Sequence, residues 1–251
     1  MNYVRSHDDI GWTFADEDAA ELGIHGSSHR RFLNDFYVGR FPGTFARGVP
    51  FQENPKTGDA RIAGTTASLA GVEAGDAGGV DRVVLAHAIQ LSTGGIPLLY
   101  LGDEVAQLND YSYSDDPAKA GDSRWVHRPM RPVDRYSQRG DPRTAAGEVY
   151  ARLRALIDAR RSAPEFGGNE LIGFDARHPT VLGYQRPGLD ADYPRILVLA
   201  NVGDDLAIID PLTLSGFAAH AQDIVDRRPV DLTRGIALAP HAFVWLKVTP
   251  A

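Results

Sequence analysis

The chain has 251 residues, 43% of them hydrophobic and 24% charged, a make-up that excludes a disordered or fibrous protein and leaves room for one large core or two smaller ones. Lys plus Arg of 26 against Asp plus Glu of 33 gives a formal charge of −7, which disfavours nucleic acid and anionic membranes as partners, and no basic stripe offsets it. The absence of cysteine excludes disulfides, thiolate metal sites and a cysteine nucleophile, and it leaves the compartment open.

Residues 2–6 are short, aromatic and β-branched and read as a strand. No basic n-region with a long apolar stretch opens the chain and no apolar run reaches membrane-spanning length, so neither a signal peptide nor an anchor is expected. The strand gives way to His7-Asp8-Asp9 and a Gly11-Trp12 loop. In parallel α/β proteins chemistry sits at the carboxyl ends of strands, so this arrangement suits a site. The spacing alone fits a capped strand end or a solvated acidic turn equally well.

Residues 11–79 are polar and aromatic, with turns at Phe41-Pro42-Gly43 and Pro55-Lys56-Thr57-Gly58, and are far too long for an ordinary connection. They read as a functional insertion. Within it, Ser28 is placed to cap a helix over 28–39, with Phe32 and Phe36, and Leu33 and Tyr37, one turn apart. Val80, Val83, Val84, Ala88 and Leu91 then recur at helical spacing up to Gly94-Gly95, and residues 96–101 read as a buried strand ending in Gly102-Asp103-Glu104. Neighbouring strand residues face opposite ways, so one of Asp103 and Glu104 is expected to turn inward and pair with an arginine; both are left out of the catalytic set.

A second loop, 105–140, is rich in Asp, Ser, Tyr and Arg. Asp141-Pro142 is read as the start of a helix presenting Val149, Leu153, Leu156 and Ile157 and ending near Ser162-Ala163-Pro164. Beyond it, β-branched runs at 171–174, 181–185, 196–199, 207–209, 221–225, 236–238 and 243–248 predict a small antiparallel sandwich. The expected domains are 1–165, containing the insertion 11–79, and 166–251.

His25, His29, His87, His127, His178, His220 and His241 show no metal-ligand spacing, so no metal or cofactor is expected. Arg61 and Arg124, read alone, are surface or ion-pair arginines. Trp12, Tyr111, Tyr113 and Trp125 lie in loops, where stacking on sugars and filling of a core are both open.

Val4-Arg5-Ser6-His7-Asp8-Asp9-Ile10-Gly11-Trp12 resembles the seventh-strand motif of the α-amylase superfamily, and Gly95-Ile96-Pro97-Leu98-Leu99-Tyr100-Leu101-Gly102-Asp103-Glu104 resembles its eighth strand. With Arg47-Gly48-Val49-Pro50-Phe51-Gln52 and Asp122-Ser123-Arg124-Trp125-Val126-His127-Arg128-Pro129, the chain is similar essentially from end to end to amylosucrases, retaining glucosyltransferases that build α-1,4-glucan from sucrose. The resemblance implies the C-terminal part of a (β/α)8 TIM barrel, its seventh and eighth strands and their helices with a long loop insertion, followed by an antiparallel β-sandwich.

The resemblance further implies that His7 and Asp8 bind the glucosyl ring and stabilise its oxocarbenium-like transition state. Asp9 and Arg61 would hold the fructosyl or acceptor unit, and Arg124 would close the pocket through an ion pair with an upstream aspartate. Its implied partners are sucrose, an α-glucan acceptor and the missing N-terminal barrel half. In the family the nucleophile Asp and the acid/base Glu stand on the fourth and fifth strands, so the 251 residues alone are expected neither to close a barrel nor to turn over sucrose. A sucrose hydrolase and a non-catalytic carbohydrate-binding or assembly module are the alternatives.

Overall fold

The computed structural model describes residues 1–188 and 194–251. They fall into two compact units: Val4–Val83 with Leu99–Tyr150, and Met1–Tyr3 with Val84–Leu98 and Ala151–Ala251.

The first unit opens with helices α1 (Asp16–Glu21) and α2 (Gly26–Tyr37). α2 starts two residues before the predicted 28–39 because the cap is His25, whose Nδ1 accepts the Ser28 N–H at 3.4 Å. Aromatic packing then fixes the helix: Phe41 meets Phe32 edge-on at 5.0 Å, Phe45 meets Phe36 edge-on at 5.2 Å, and Trp12 lies 5.2 Å from Tyr37. Each such pair contributes about 0.5–1.5 kcal/mol beyond its buried area.

An antiparallel hairpin follows, β1 (Val49–Phe51) with β2 (Arg61–Ala63), in the register Val49↔Ala63 and Phe51↔Arg61. Gly48 leads into it at a close crossing, since a Cβ there would sit 2.7 Å from the Tyr37 carbonyl oxygen and 2.9 Å from Leu69. On its free side β2 meets Ile10, which exchanges both backbone hydrogen bonds with Ile62 at 2.7 and 2.8 Å.

After α3 (Thr66–Leu69), capped by Thr65, come α4 (Gly79–Ser92), α5 (Val133–Gln138) and α6 (Ala145–Ser162). Three short 3-10 helices, Asp103–Val105, Tyr111–Asp115 and Ser123–His127, precede α5. The unit boundary falls within α4 and within α6. α6 begins later than Asp141-Pro142 predicted: Thr144 Oγ1 accepts the Gly147 N–H at 3.0 Å, while Asp141 closes the preceding turn by accepting the Arg143 N–H at 3.1 Å.

In the second unit the strands are β3 (Ile172–Gly173), β4 (Val181–Arg186), β5 (Arg195–Asn201), β6 (Ala207–Ile209), β7 (His220–Asp223), β8 (Arg228–Asp231), β9 (Ile236–Leu238) and β10 (Phe243–Val248). Six form an antiparallel sheet in the order β3-β4-β5-β10-β7-β8, and β6 pairs with β9. Leu197, Leu199, Leu246 and Val248 from the central strands pack with Ile209, Leu214 and Leu238 in one buried core. By alternation, Trp245 and its register partner Val198 face the other way, where Phe166 lies 5.0 Å from the indole. All seven predicted runs contain a strand. β8 was not anticipated, because Arg228-Pro229-Val230-Asp231 has no apolar alternation; it sits at the sheet edge, where proline and charge are tolerated.

The two segments expected as parallel barrel strands meet only at one point. Asn2 N–H donates to the Ile96 carbonyl at 3.0 Å and Leu98 N–H to the Asn2 carbonyl at 2.9 Å, a single parallel bridge. Gln90 Nε2 braces both, donating to the carbonyls of Asn2 and Leu98. Residues 2–6 and 96–101 therefore form no continuous ladder, which corrects the expectation of a buried strand: Ile96 is 71% exposed and Leu101 60%. A parallel strand is buried when ladders flank it on both sides, and among the described residues these two segments share a single bridge instead.

Replacing Leu197 by Ala should destabilise the second unit by about 2–5 kcal/mol, against under ~0.5 kcal/mol for half-exposed Leu182→Ala. Urea unfolding of the two variants checks this, and equal midpoints would contradict the assigned core.

Candidate functional site

The loop that carries His7, Asp8 and Asp9 is fixed at both ends. Ahead of it, Arg5 is buried: its Nε donates to Asp103 Oδ1 at 2.8 Å, both side chains being 2% exposed, its Nη1 donates to the His127 carbonyl at 3.3 Å, and its guanidinium lies 4.5 Å over the Tyr100 ring. Asp103 also accepts from Thr66 Oγ1 at 3.1 Å. Of the Asp103-Glu104 pair, Asp103 is thus the member that turns inward to an arginine, while Glu104 accepts from the Gly102 N–H and from the Tyr136 hydroxyl. Beyond the loop, the Ile10–Ile62 exchange holds it to β2.

His127 connects these anchors. Its Nδ1 accepts the Gly64 N–H at 3.0 Å, so the ring proton sits on Nε2, which donates to the His7 carbonyl at 3.1 Å. Arg128 Nε donates to the same carbonyl at 2.6 Å. Burial, followed by the nearby Arg5 and Arg128 cations, pushes the His127 pKa down to about 4, so the ring is neutral at physiological pH.

On this backbone the charged side chains form a chain of contacts. Arg124 forks onto Asp122, with Nε to Oδ1 and Nη2 to Oδ2 both at 2.9 Å, and its Nη1 donates to Asp8 Oδ1 at 2.7 Å. The same Nη1 lies 3.9 Å from Asp9 Oδ1, and the guanidinium rests 4.4 Å over the Phe51 ring. Arg61 Nη1 is 3.4 Å from Asp9 Oδ2, the long side chain reaching diagonally across the antiparallel Ile10–Ile62 bridge.

The two adjacent aspartates sit in opposite environments. Asp8 is 52% exposed, and the hydrogen bond from Arg124, with a further one from Asp9, holds its carboxyl well below the usual carboxylate range. Asp9 is 8% exposed; burial, and then the neighbouring Asp8, pushes its pKa up. Asp8 therefore keeps its negative charge, and the first proton the pair takes up as pH falls goes to the buried member.

Asp8, Asp9, Arg61 and Arg124 are thus drawn together. The His7 backbone is held with them, whereas its imidazole is exposed and makes no hydrogen bond among the described residues. Sequence reasoning did not single out Asp122, His127 or Arg128 individually. The available signal was Asp122 two residues before Arg124, where it caps the 3-10 helix by accepting the Arg124 N–H at 3.0 Å. Of the loop aromatics, Trp12 donates to buried Asn34 at 2.8 Å, the Trp125 ring has Lys119 Nζ at 5.3 Å and the Arg128 guanidinium at 5.6 Å, and Tyr111 donates to Glu73 at 2.8 Å.

No known protein-family profile matches the chain. It is 28% identical over 167 residues to glucosylglycerate phosphorylase of Escherichia coli (strain K12), a match taking in 66% of this chain and 28% of the relative. Two solved structures of AmyP, a variant with maltotriose and a form with maltose, share the fold with TM-scores of 0.55 and 0.54 at 14% and 17% identity; each match covers 74% of this chain and 39% of AmyP. The chain thus spans under a third of that curated relative and about two fifths of AmyP. Its fold is the C-terminal part of a (β/α)8-barrel enzyme followed by antiparallel β structure. Relative and fold together support the α-amylase superfamily.

Two outcomes test the scaffold. Asp103→Ala leaves Arg5 buried and unpaired and should cost about 3–5 kcal/mol, with Asp103→Leu combined with Arg5→Met recovering most of it, as read from urea unfolding. His127 has a folded pKa depressed from 6.5 to about 4, so its contribution is present above pH 6.5 and is lost as pH falls towards 4. His127→Gln should flatten that part of the stability–pH curve, and an unchanged slope would contradict the assignment.

Proposed function

We propose that this chain supplies the sugar-binding wall of a retaining α-glucosyl-transferring site of the amylosucrase type, with sucrose as donor and an α-glucan as acceptor. The observation that carries the reading is an ionised, half-exposed Asp8 on a doubly anchored loop, beside a buried Asp9 flanked by two arginines. In this reading the catalytic pair supplied by the chain is His7 and Asp8. A glucosyl centre gaining positive charge is stabilised by a fixed carboxylate, and Asp8 cannot be neutralised by protonation near neutral pH; exposed His7 binds a ring hydroxyl. Asp9 and Arg61 hold the fructosyl or acceptor unit, and Arg124 closes over the glucosyl ring, tied down by Asp122.

Retention requires a nucleophile and an acid/base about 5–5.5 Å apart, and in this reading both come from a partner, the missing N-terminal barrel half. Its seat is the unladdered pair of segments at 1–3 and 96–98, whose Tyr3 and Ile96 are exposed. A second reading, favoured by the likeness to a glucosylglycerate phosphorylase, keeps the glucosyl wall and passes the sugar to phosphate, the exposed Arg61 cation attracting it. A hydrolase that passes the glucosyl unit to water is the remaining variant.

Mixing the chain with a separately expressed N-terminal barrel half of a related enzyme should restore fructose release from sucrose, which the chain alone should not produce. Asp8→Ala should lower kcat/KM of the mixture by about 10²–10³, and Arg61→Ala should raise KM about tenfold with little change in kcat. Equal activity of the Asp8→Ala mixture contradicts its role. Strictly phosphate-dependent glucose 1-phosphate formation selects the phosphorylase reading, and fructose release by the lone chain overturns the division of labour.

A further inference from the structure

Arg124 stands between two carboxylates and pairs with the one that needs it less. Its Nη1 donates to Asp8 Oδ1 at 2.7 Å and lies 3.9 Å from Asp9 Oδ1, although Asp8 is 52% exposed and Asp9 8%. A charge withdrawn from water gains more from a nearby cation than a solvated one does, so solvation alone would draw Arg124 onto Asp9. Also near the pair are Arg61, 3.4 Å from Asp9 Oδ2, and Asp122 and Arg128, 3.8 Å apart, while neutral His127 bonds to the His7 carbonyl.

The Asp122 fork fixes how the guanidinium is turned, but Asp122 lies two residues before Arg124 on the same turn and moves with it. The contact that comes from another element is half-buried Phe51, whose ring centroid lies 4.4 Å from the guanidinium carbon above it. Phe51 is on β1 with Arg61 as its register partner on β2, so both side chains leave the same face of the hairpin. The 3-10 helix that carries Arg124 is moored to this hairpin at both ends, since Ser123 Oγ donates to the Pro50 carbonyl at 2.8 Å and His127 Nδ1 accepts the Gly64 N–H at 3.0 Å. We propose that Phe51 is a positioning residue whose ring carries the Arg124 guanidinium where Nη1 meets Asp8, leaving Asp9 to Arg61. The negative face of the ring attracts the cation, and an aliphatic side chain of similar bulk lacks that face. In the glucosyl-transfer reading, on which this consequence rests, the pairing keeps Asp8 fixed and charged towards the sugar and Arg61 free for the acceptor side.

The ¹³Cγ resonances of Asp8 and Asp9 in the labelled full chain, assigned by their loss in Asp8→Asn and Asp9→Asn, report the pairing without any substrate. In the unsubstituted chain Asp9 should take up its proton at a higher pH than Asp8. Phe51→Leu should bring the two titrations together, Asp8 moving up as it loses Arg124 and Asp9 down as it gains it, whereas Phe51→Tyr should keep them apart. In an Arg124→Gln background Phe51→Leu should change neither. Unchanged titrations in Phe51→Leu, the same change in Phe51→Tyr, or a change that persists without Arg124 would each overturn the proposal; should Phe51→Leu fail to fold, Phe51→Met makes the same test. In the mixture with an N-terminal barrel half, Phe51→Leu should lower kcat about fivefold with little change in KM for sucrose. Shifted titrations with unchanged kcat would contradict the glucosyl reading and leave the positioning standing.

Discussion

The geometry of the candidate site depends on one buried ion pair, Arg5 with Asp103. Two side chains 2% exposed place opposite charges where water cannot solvate them, so they rely on each other and on the protein groups around them. Asp103 takes Arg5 and Thr66; Arg5 extends a second nitrogen to the His127 carbonyl. The His127 ring then spans from the Gly64 N–H, just past β2, to the His7 carbonyl. Four segments far apart in the chain are thereby tied to one charge pair. Such a pair adds little net stability, and what it contributes here is a single admissible backbone position for residues 7–9.

Above that scaffold, adjacent residues acquire opposite properties. Asp8 and Asp9 are chemically identical and one peptide apart, yet the turn sends one towards solvent and Arg124 and the other inward towards Arg61. The exposed member is stabilised as an anion, and burial works against charge on the inner one. Arg124 is itself held by the Asp122 fork and the Phe51 face, so it reaches Asp8 from a fixed position rather than as a mobile surface cation.

The second unit is organised by apolar burial instead. β5 is covered along nearly its whole length, Leu197 and Leu199 on one face and Val198 on the other, so it and β10 form the centre of a sheet whose margins are the two-residue β3 and the proline-bearing β8. Short, charged margins resist further strand addition. The segments at 1–3 and 96–98 differ: they bridge once and leave large apolar side chains in solvent.

Local pattern carried much of this in advance. The period of Val80, Val83, Val84, Ala88 and Leu91 marked α4, the β-branched runs marked seven strands of the second unit, and the Asp103-Glu104 pair implied one inward carboxylate. What local pattern could not carry was partnership across the chain. β8 has no hydrophobic signature because its stability comes from β7, and His127 reads as an ordinary loop histidine until Gly64 and His7 reach it. By itself the sequence marked α2, α4, α6 and seven strands of the second unit, because periodicity is a local property, whereas the resemblance singled out residues 7–9 with Arg61 and Arg124. Only the tertiary structure decided that Asp103 answers Arg5, that Asp8 faces outward and Asp9 inward, and that residues 96–101 stay uncovered, because burial and pairing depend on groups up to ~120 positions away in the chain.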